Sequence, residues 1–123
     1  MKAAHSIILL ACLLSACDES NDRHVTQLTG GGDPNKGKAA IRVYGCSSCH
    51  TIPGVYGADA LVGPPLDHVG SRNFIGGVAQ NTPQNLIDWV QNPRAIDSKT
   101  AMPNLHVSVS DARDIASYLY TLR

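Results

Sequence analysis

Apolar residues along the chain fall into one unbroken run and three helical stripes, separated by polar or glycine-rich stretches. The run, Ile7-Ile8-Leu9-Leu10-Ala11-Cys12-Leu13-Leu14, has no polar break and therefore no amphipathic period. Further along, Gly37, Ala40, Ile41 and Tyr44 recur at i, i+3, i+4 and i+7, the spacing that lines one face of a helix. Asp33 and Pro34 stand just before them as a capping residue and a first-turn proline, so a helix is expected to begin there. Its glycine marks a face that another element approaches closely, and the last helix of the chain offers the counterpart. Leu86, Trp89 and Val90 form a second stripe behind Thr82 and Pro83. Asn92-Pro93 should end that helix, because a proline pushes the preceding residue out of helical geometry. The third stripe, Ile115, Tyr118, Leu119 and Leu122, follows Ser108 or Ser110 as its cap. Asp111 and Asp114 suit the positive end of its dipole. No segment alternates polar and apolar long enough to predict a strand, so the expected class is all-α.

The stretch from Asp18 to about Asp33 is polar, shows no period and ends in Thr29-Gly30-Gly31-Gly32. It reads as a flexible tether. The organisation expected is residues 1–16 as an export leader, 17–33 as tether and 34–123 as the folded domain, with no internal repeat. Lys2 supplies the leader's positive charge, and the apolar run after it is too short for a spanning helix. Leu14-Ser15-Ala16-Cys17 resembles the bacterial lipobox. That resemblance implies cleavage before Cys17 and lipidation of its new N-terminus, with more than one acyl chain for stable anchoring. Asp18 resembles the signal that retains some Gram-negative lipoproteins at the inner membrane. The expected location is the periplasmic face of that membrane, with the outer membrane or extracellular face as alternatives.

Size and charge narrow the function. A chain of 123 residues and 13.0 kDa has room for one domain. Ten Lys+Arg balance ten Asp+Glu, which gives no field to attract nucleic acid. The folded part, roughly 90 residues, would be marginal on burial alone. Aromatics make up only 5% of the chain, so the core is thin and a large apolar cofactor would help to fill it.

The chemistry lies in Cys46-Ser47-Ser48-Cys49-His50. In a helical turn Cys46, Cys49 and His50 sit at i, i+3 and i+4 and share one face. Two thiols there can add to the two vinyl groups at one edge of a porphyrin while the imidazole reaches the iron, the pattern of c-type haem attachment. Two other readings use the same residues. A redox dithiol would call for a thioredoxin-like βαβ pattern, which is missing. Half a zinc site would need two further ligands, for which His68 and His106 are at hand. A sixth iron ligand is expected from Met102, in the loop Ser98-Lys99-Thr100-Ala101-Met102-Pro103, far enough downstream for the chain to wrap round the cofactor. His68 and His106 are its rivals, and a gap-filling core Met is the structural alternative.

Residues Gly37 through Arg123 resemble a class I cytochrome c domain. The resemblance implies three to five short helices wrapped around one haem c, covalently attached through Cys46 and Cys49. His50 and Met102 would be the iron ligands. Gly63-Pro64-Pro65-Leu66 is similar to the family's Gly-Pro-X-Leu segment, which implies that the Pro64 carbonyl accepts the His50 Nδ1 proton. Arg72 falls where the family has an Arg near a haem propionate, and Trp89 where it often has an aromatic against the haem. The stretches Val62–Arg72 and Asn81–Leu86 look like the cytochrome domains fused to subunit II of some bacterial haem–copper oxidases. This chain carries no copper-binding domain and no spanning helix, so its lipid would replace both as the means of attachment.

The function expected from this is a membrane-tethered single-electron carrier of a respiratory chain, not an enzyme, serving an oxidase or a dehydrogenase. Its partners would be redox proteins and the membrane, with no nucleic acid and no small-molecule substrate. A haem subunit of a larger complex is the alternative, followed by a peroxidase or gas-binding protein. From Pro34 onward eight Lys+Arg face six Asp, a weak excess, so tethering should aid encounter more than charge does.

Overall fold

The structure, a computed structural model, describes residues 19–123. The expected leader, the lipidation expected at Cys17 and the residue Asp18 lie outside the described residues. Among the described residues five α-helices follow in order: α1, described over residues 19–28, α2 Pro34–Val43, α3 Pro83–Gln91, α4 Pro93–Ile96 and α5 Val109–Thr121. Two turns of 3-10 helix, Cys46–Ser48 and Val69–Ser71, lie in the long connection between α2 and α3. So do two short antiparallel strands, β1 Phe74–Ile75 and β2 Ala79–Gln80. The architecture is helical, as expected, with a small ribbon added.

The helix starts follow the local punctuation. The Asp33 carboxylate accepts from the N–H groups of Asn35 and Lys36, the Thr82 hydroxyl from Asn85 and the Ser108 hydroxyl from Asp111. Each cap satisfies a donor that the first turn of a helix leaves open. Pro93 ends α3 as expected but also opens α4, since a proline is well placed in a first turn.

The largest interface joins α2 to α5. At their crossing a Cβ on Gly37 would overlap the Asp114 carbonyl, so the two backbones touch. The ends are tied as well. The Tyr44 hydroxyl donates to Asp111 Oδ2 at 2.7 Å, and this bond, with one from Ser108, holds the Asp111 carboxyl below its usual range. Nearly every residue of α5 from Ala112 to Tyr120 is half-buried or buried, a wider face than one stripe predicts, because α2, α3 and the 69–71 turn all pack on it.

Two features depart from the sequence reading. The ribbon at 74–80 has too few residues for an alternating pattern, and Gly76 and Gly77 turn it in left-handed conformations. The segment taken for a flexible tether carries α1, with Val25 and Thr29 buried against the domain. That helix is polar apart from a narrow seam, so no wide apolar stripe announced it.

Tyr120 provides a test of packing by pH. Its hydroxyl donates to Asn81 Oδ1 at 3.0 Å, and burial pushes its pKa up to about 12, against a partial opposing pull from Arg123. The folded chain thus holds this proton more tightly than the unfolded chain, whose tyrosine titrates near 10. The resulting stability is full below about pH 10 and is lost as pH rises toward 12. Denaturant midpoints measured from pH 9 to 12 should fall more steeply for the wild type than for Tyr120→Phe. Parallel curves would remove Tyr120 as the cause.

Candidate functional site

Gly45, at φ 72°, reverses the chain directly after α2 and leads it into the turn Cys46–Ser48. Cys49 and His50 both donate their N–H groups to the Cys46 carbonyl, at 3.2 and 3.1 Å, so the three reactive side chains share one turn. All three line a cavity of about 450 Å³. Its floor and walls are aliphatic and aromatic: Ile41 from α2, Leu86 and Trp89 from α3, and Ile115 and Leu119 from α5 are all buried. The helices packed by sequence pattern are therefore the walls of the site.

His50 is held in one orientation. Its Nδ1 lies 2.7 Å from the Pro64 carbonyl. A carbonyl only accepts, so Nδ1 carries the proton and Nε2 keeps a free lone pair, the state in which an imidazole binds a metal. Gly63 backs onto the same ring, where a Cβ would stand 2.8 Å from Nδ1. Two main-chain bonds, Gly63 N–H to Cys49 O at 2.7 Å and Leu66 N–H to Thr51 O at 2.8 Å, lay this loop along the attachment segment.

Arg72 and Trp89 also line the cavity. The Arg72 guanidinium donates to the carbonyls of Pro65 at 2.6 Å and Asp67 at 2.8 Å, and stands 3.7 Å from the Asp67 carboxylate. It clamps the loop that presents Pro64. The rim of the Trp89 indole is covered by Gly76, where a Cβ would lie 2.6 Å from the ring.

Met102 reaches the same cavity from the loop between α4 and α5, flanked by Ala101 and Pro103. Its N–H donates to Thr100 Oγ1 at 3.2 Å, a hydroxyl turn that shapes the loop from within. Thr100 was not singled out from the sequence, although a Thr two residues ahead of the Met is a readable signal. Asn81 was also missed: its amide donates to the carbonyls of Val69 and Arg72 at 2.9 and 2.8 Å and fixes the back of the loop. No local pattern reveals it. His68 and His106 are exposed, in left-handed turns at φ 53° and 55°, and neither borders the cavity.

Among the described residues no βαβ unit of a thioredoxin-like dithiol surrounds the two thiols. Cys46 and Cys49 are free, and burial pushes the Cys46 thiol pKa up, with the neighbouring Cys49 adding to a rise that a backbone hydrogen bond opposes. A redox dithiol needs the reverse, a thiol whose pKa is depressed. Among the described residues no cluster of three or more His, Cys, Asp or Glu could hold a metal ion, so the zinc reading has no support. Two thiols on one turn, an imidazole with Nε2 free, a thioether and otherwise apolar walls fit a covalently held haem. The volume is within the roughly 300–1,000 Å³ usual for a cofactor site.

Comparison with known proteins agrees. Residues 34–123 match the family described as Cytochrome c. The chain is also 28% identical over 90 residues to the cytochrome c oxidase subunit 2 of Alkalihalophilus pseudofirmus. That match covers 72% of this chain and 25% of the subunit, so the chain spans about a quarter of its relative's length. No solved structure matches it. The family match covers the same residues that wrap the cavity, and on that ground the chain belongs to the cytochrome c family, with haem c as its covalent cofactor at Cys46 and Cys49.

Proposed function

We propose that this protein is a membrane-tethered carrier of single electrons in a respiratory chain, passing them to a terminal oxidase or receiving them from a dehydrogenase. The observation that carries the proposal is the convergence of Cys46, Cys49, His50 and Met102 on one apolar cavity. His50 Nε2 and Met102 Sδ are assigned as the iron ligands, with the two cysteine sulfurs as the thioether links. When bound, haem c supplies a one-electron iron couple, and a thioether ligand favours its reduced form relative to two imidazoles.

The chain's own residues keep that exchange simple. The Pro64 carbonyl holds the Nδ1 proton in place, so His50 need not change tautomer or turn during transfer. Buried Ile52, Leu86 and Val90 keep water from the cavity floor. Val62 and Phe74, 81% and 58% exposed, form an apolar rim at the mouth, where a redox partner would approach.

The anchor is the lipid on Cys17. Among the described residues no helix is long and apolar enough to cross a membrane. Anchoring raises the effective concentration at partners in the same membrane, which a weak net charge does little to attract. The likeness to an oxidase subunit favours a second reading, a permanent haem subunit of a larger complex. Co-purification with an oxidase after mild detergent extraction separates it from a free carrier.

The test is the visible spectrum of the reduced holoprotein with and without carbon monoxide. The wild type should be unchanged by the gas, because Met102 closes the iron, while Met102→Ala should bind it. Ready binding to the wild type would remove Met102 as a ligand and bring gas or peroxide chemistry to the front.

A further inference from the structure

We propose that residues 19–33 form a rigid strut which grips the domain from behind its cofactor cavity and turns the cavity mouth away from the point of anchoring. The membrane half of this rests on the lipid-anchor reading of Cys17. The grip itself does not.

The joint between α1 and the domain has no slack. The N–H groups of Gly31 and Gly30 donate to the carbonyls of Thr26 and Gln27 at 2.8 and 3.2 Å, with Gly30 left-handed at φ 71°. This pair of bonds is a glycine-terminated helix end that satisfies the last carbonyls. Val25 is 0% exposed and Thr29 3%. The Thr29 hydroxyl bonds both the Val25 carbonyl, at 2.8 Å, and the hydroxyl of Ser117, itself 0% exposed. At Gly32 a Cβ would overlap Ser117 Oγ and the Arg113 carbonyl, so the chain lies flat on α5. One residue later the Asp33 N–H donates to Asp114 Oδ1 at 2.8 Å and α2 begins. The buried hydroxyl pair Thr29–Ser117 defines one docked position, because Ser117, buried in α5, would lose its partner there if α1 moved away. A swinging tether would need no such pair.

The side on which this grip falls follows from helix geometry. Ile115 and Leu119 of α5 line the cavity and are 2% and 5% exposed, so α5 forms its floor. Ser117 is two residues from each, about 200° round the helix axis, and so faces the opposite way. The exposed lining residues Val62 and Phe74 come from the loop between α2 and α3 while those of α5 are buried, so the cavity meets solvent on that loop side and not through α5. Cys17 precedes Glu19, the first described residue, by two positions, a contour of at most about 7 Å of chain. The domain is thus held by its back, and its mouth suits a partner whose redox centre stands clear of the bilayer rather than within it.

Full-length holoprotein tests both halves. Amide exchange of Thr29 and Gly31 should be slowed by at least ~100-fold relative to an unstructured chain, as for other docked helices. Exchange near the unstructured rate would overturn the strut whether or not the chain binds membranes. In stacked bilayers of phosphatidylethanolamine and phosphatidylglycerol, the paramagnetic signal of the oxidised haem should change with the tilt of the stack in the field. An insertion of about ten Gly and Ser residues between Gly31 and Gly32 should erase that dependence without altering the visible spectrum or co-sedimentation with vesicles. A membrane-bound wild type with no angular dependence would overturn the strut. Protected amides in a chain that fails to co-sediment would overturn the membrane half and the lipid reading, and leave the grip on α5 standing.

Discussion

Gly37→Ala should lower the unfolding free energy of the holoprotein by about 2 kcal/mol, the net of two opposing effects. Overpacking a tight contact costs roughly 1–3 kcal/mol, and the upper end applies here. The obstacle is the Asp114 carbonyl, a backbone group within α5 that has no rotamer to turn away into. Against this, replacing a mid-helix glycine by alanine gains up to about 1 kcal/mol of helix propensity. Gly37→Val adds two more carbons to the same gap and loses that gain, so it should cost more. Urea titration checks both variants: the midpoint should fall in the order wild type, Ala, Val at nearly constant slope. An unchanged midpoint would mean that α2 and α5 slide apart freely. The loss should also reach the site, because Ile41 and Ile115 on these two helices are cavity walls.

Cys46→Ala with Cys49→Ala should leave a chain that does not fold cooperatively. Without covalent attachment the apolar cavity of about 450 Å³ has no permanent occupant. Left in place, its walls would face water or empty space rather than a cofactor, and the loss would take a large part of the whole stability of a small domain, about 5–15 kcal/mol. Ile41, Leu86, Trp89, Ile115 and Leu119 would instead collapse toward one another and abandon the arrangement of α2, α3 and α5. Far-ultraviolet dichroism with thermal melting should show reduced helix and no sharp transition. A cooperative melt at the wild-type temperature would show that the cofactor is a passenger in a self-sufficient fold. The single variants, which keep one thioether, should fall between.

Much of the fold and of the site was legible because its signals are local. A helix start is an interaction over two or three residues, so Asp33 and Thr82 could be read directly as caps and Ser108 as one of two candidates with Ser110, and all three are caps. The haem turn is likewise complete within five residues, and a mid-loop methionine beside a proline stands out by itself. Gly37 announced a close approach with the last helix as its counterpart, but not the residue it would meet there. The partner, Asp114, lies in a helix whose own stripe gave no register for the crossing.

What lay beyond reading depends on residues far apart. Arg72 was placed near the cofactor by its spacing from Pro64, yet its bonds to the Pro65 and Asp67 carbonyls arise only because the loop curls back over its side chain. Asn81 joins Val69, Arg72 and Tyr120, which share no periodicity. The segment before Asp33 reads as linker because its composition is polar and its buried face is only Val25, Thr29 and Gly32 wide. Its helix is settled by a hydroxyl pair between residues 88 positions apart, Thr29 and Ser117. By itself, then, the sequence determined where helices begin and which side chains can hold a haem, since both are decided by neighbours along the chain. Only the tertiary structure decided how those side chains meet on one cavity and whether the segment before them swings or grips. Both depend on distant surfaces whose fit exists only once the chain has folded.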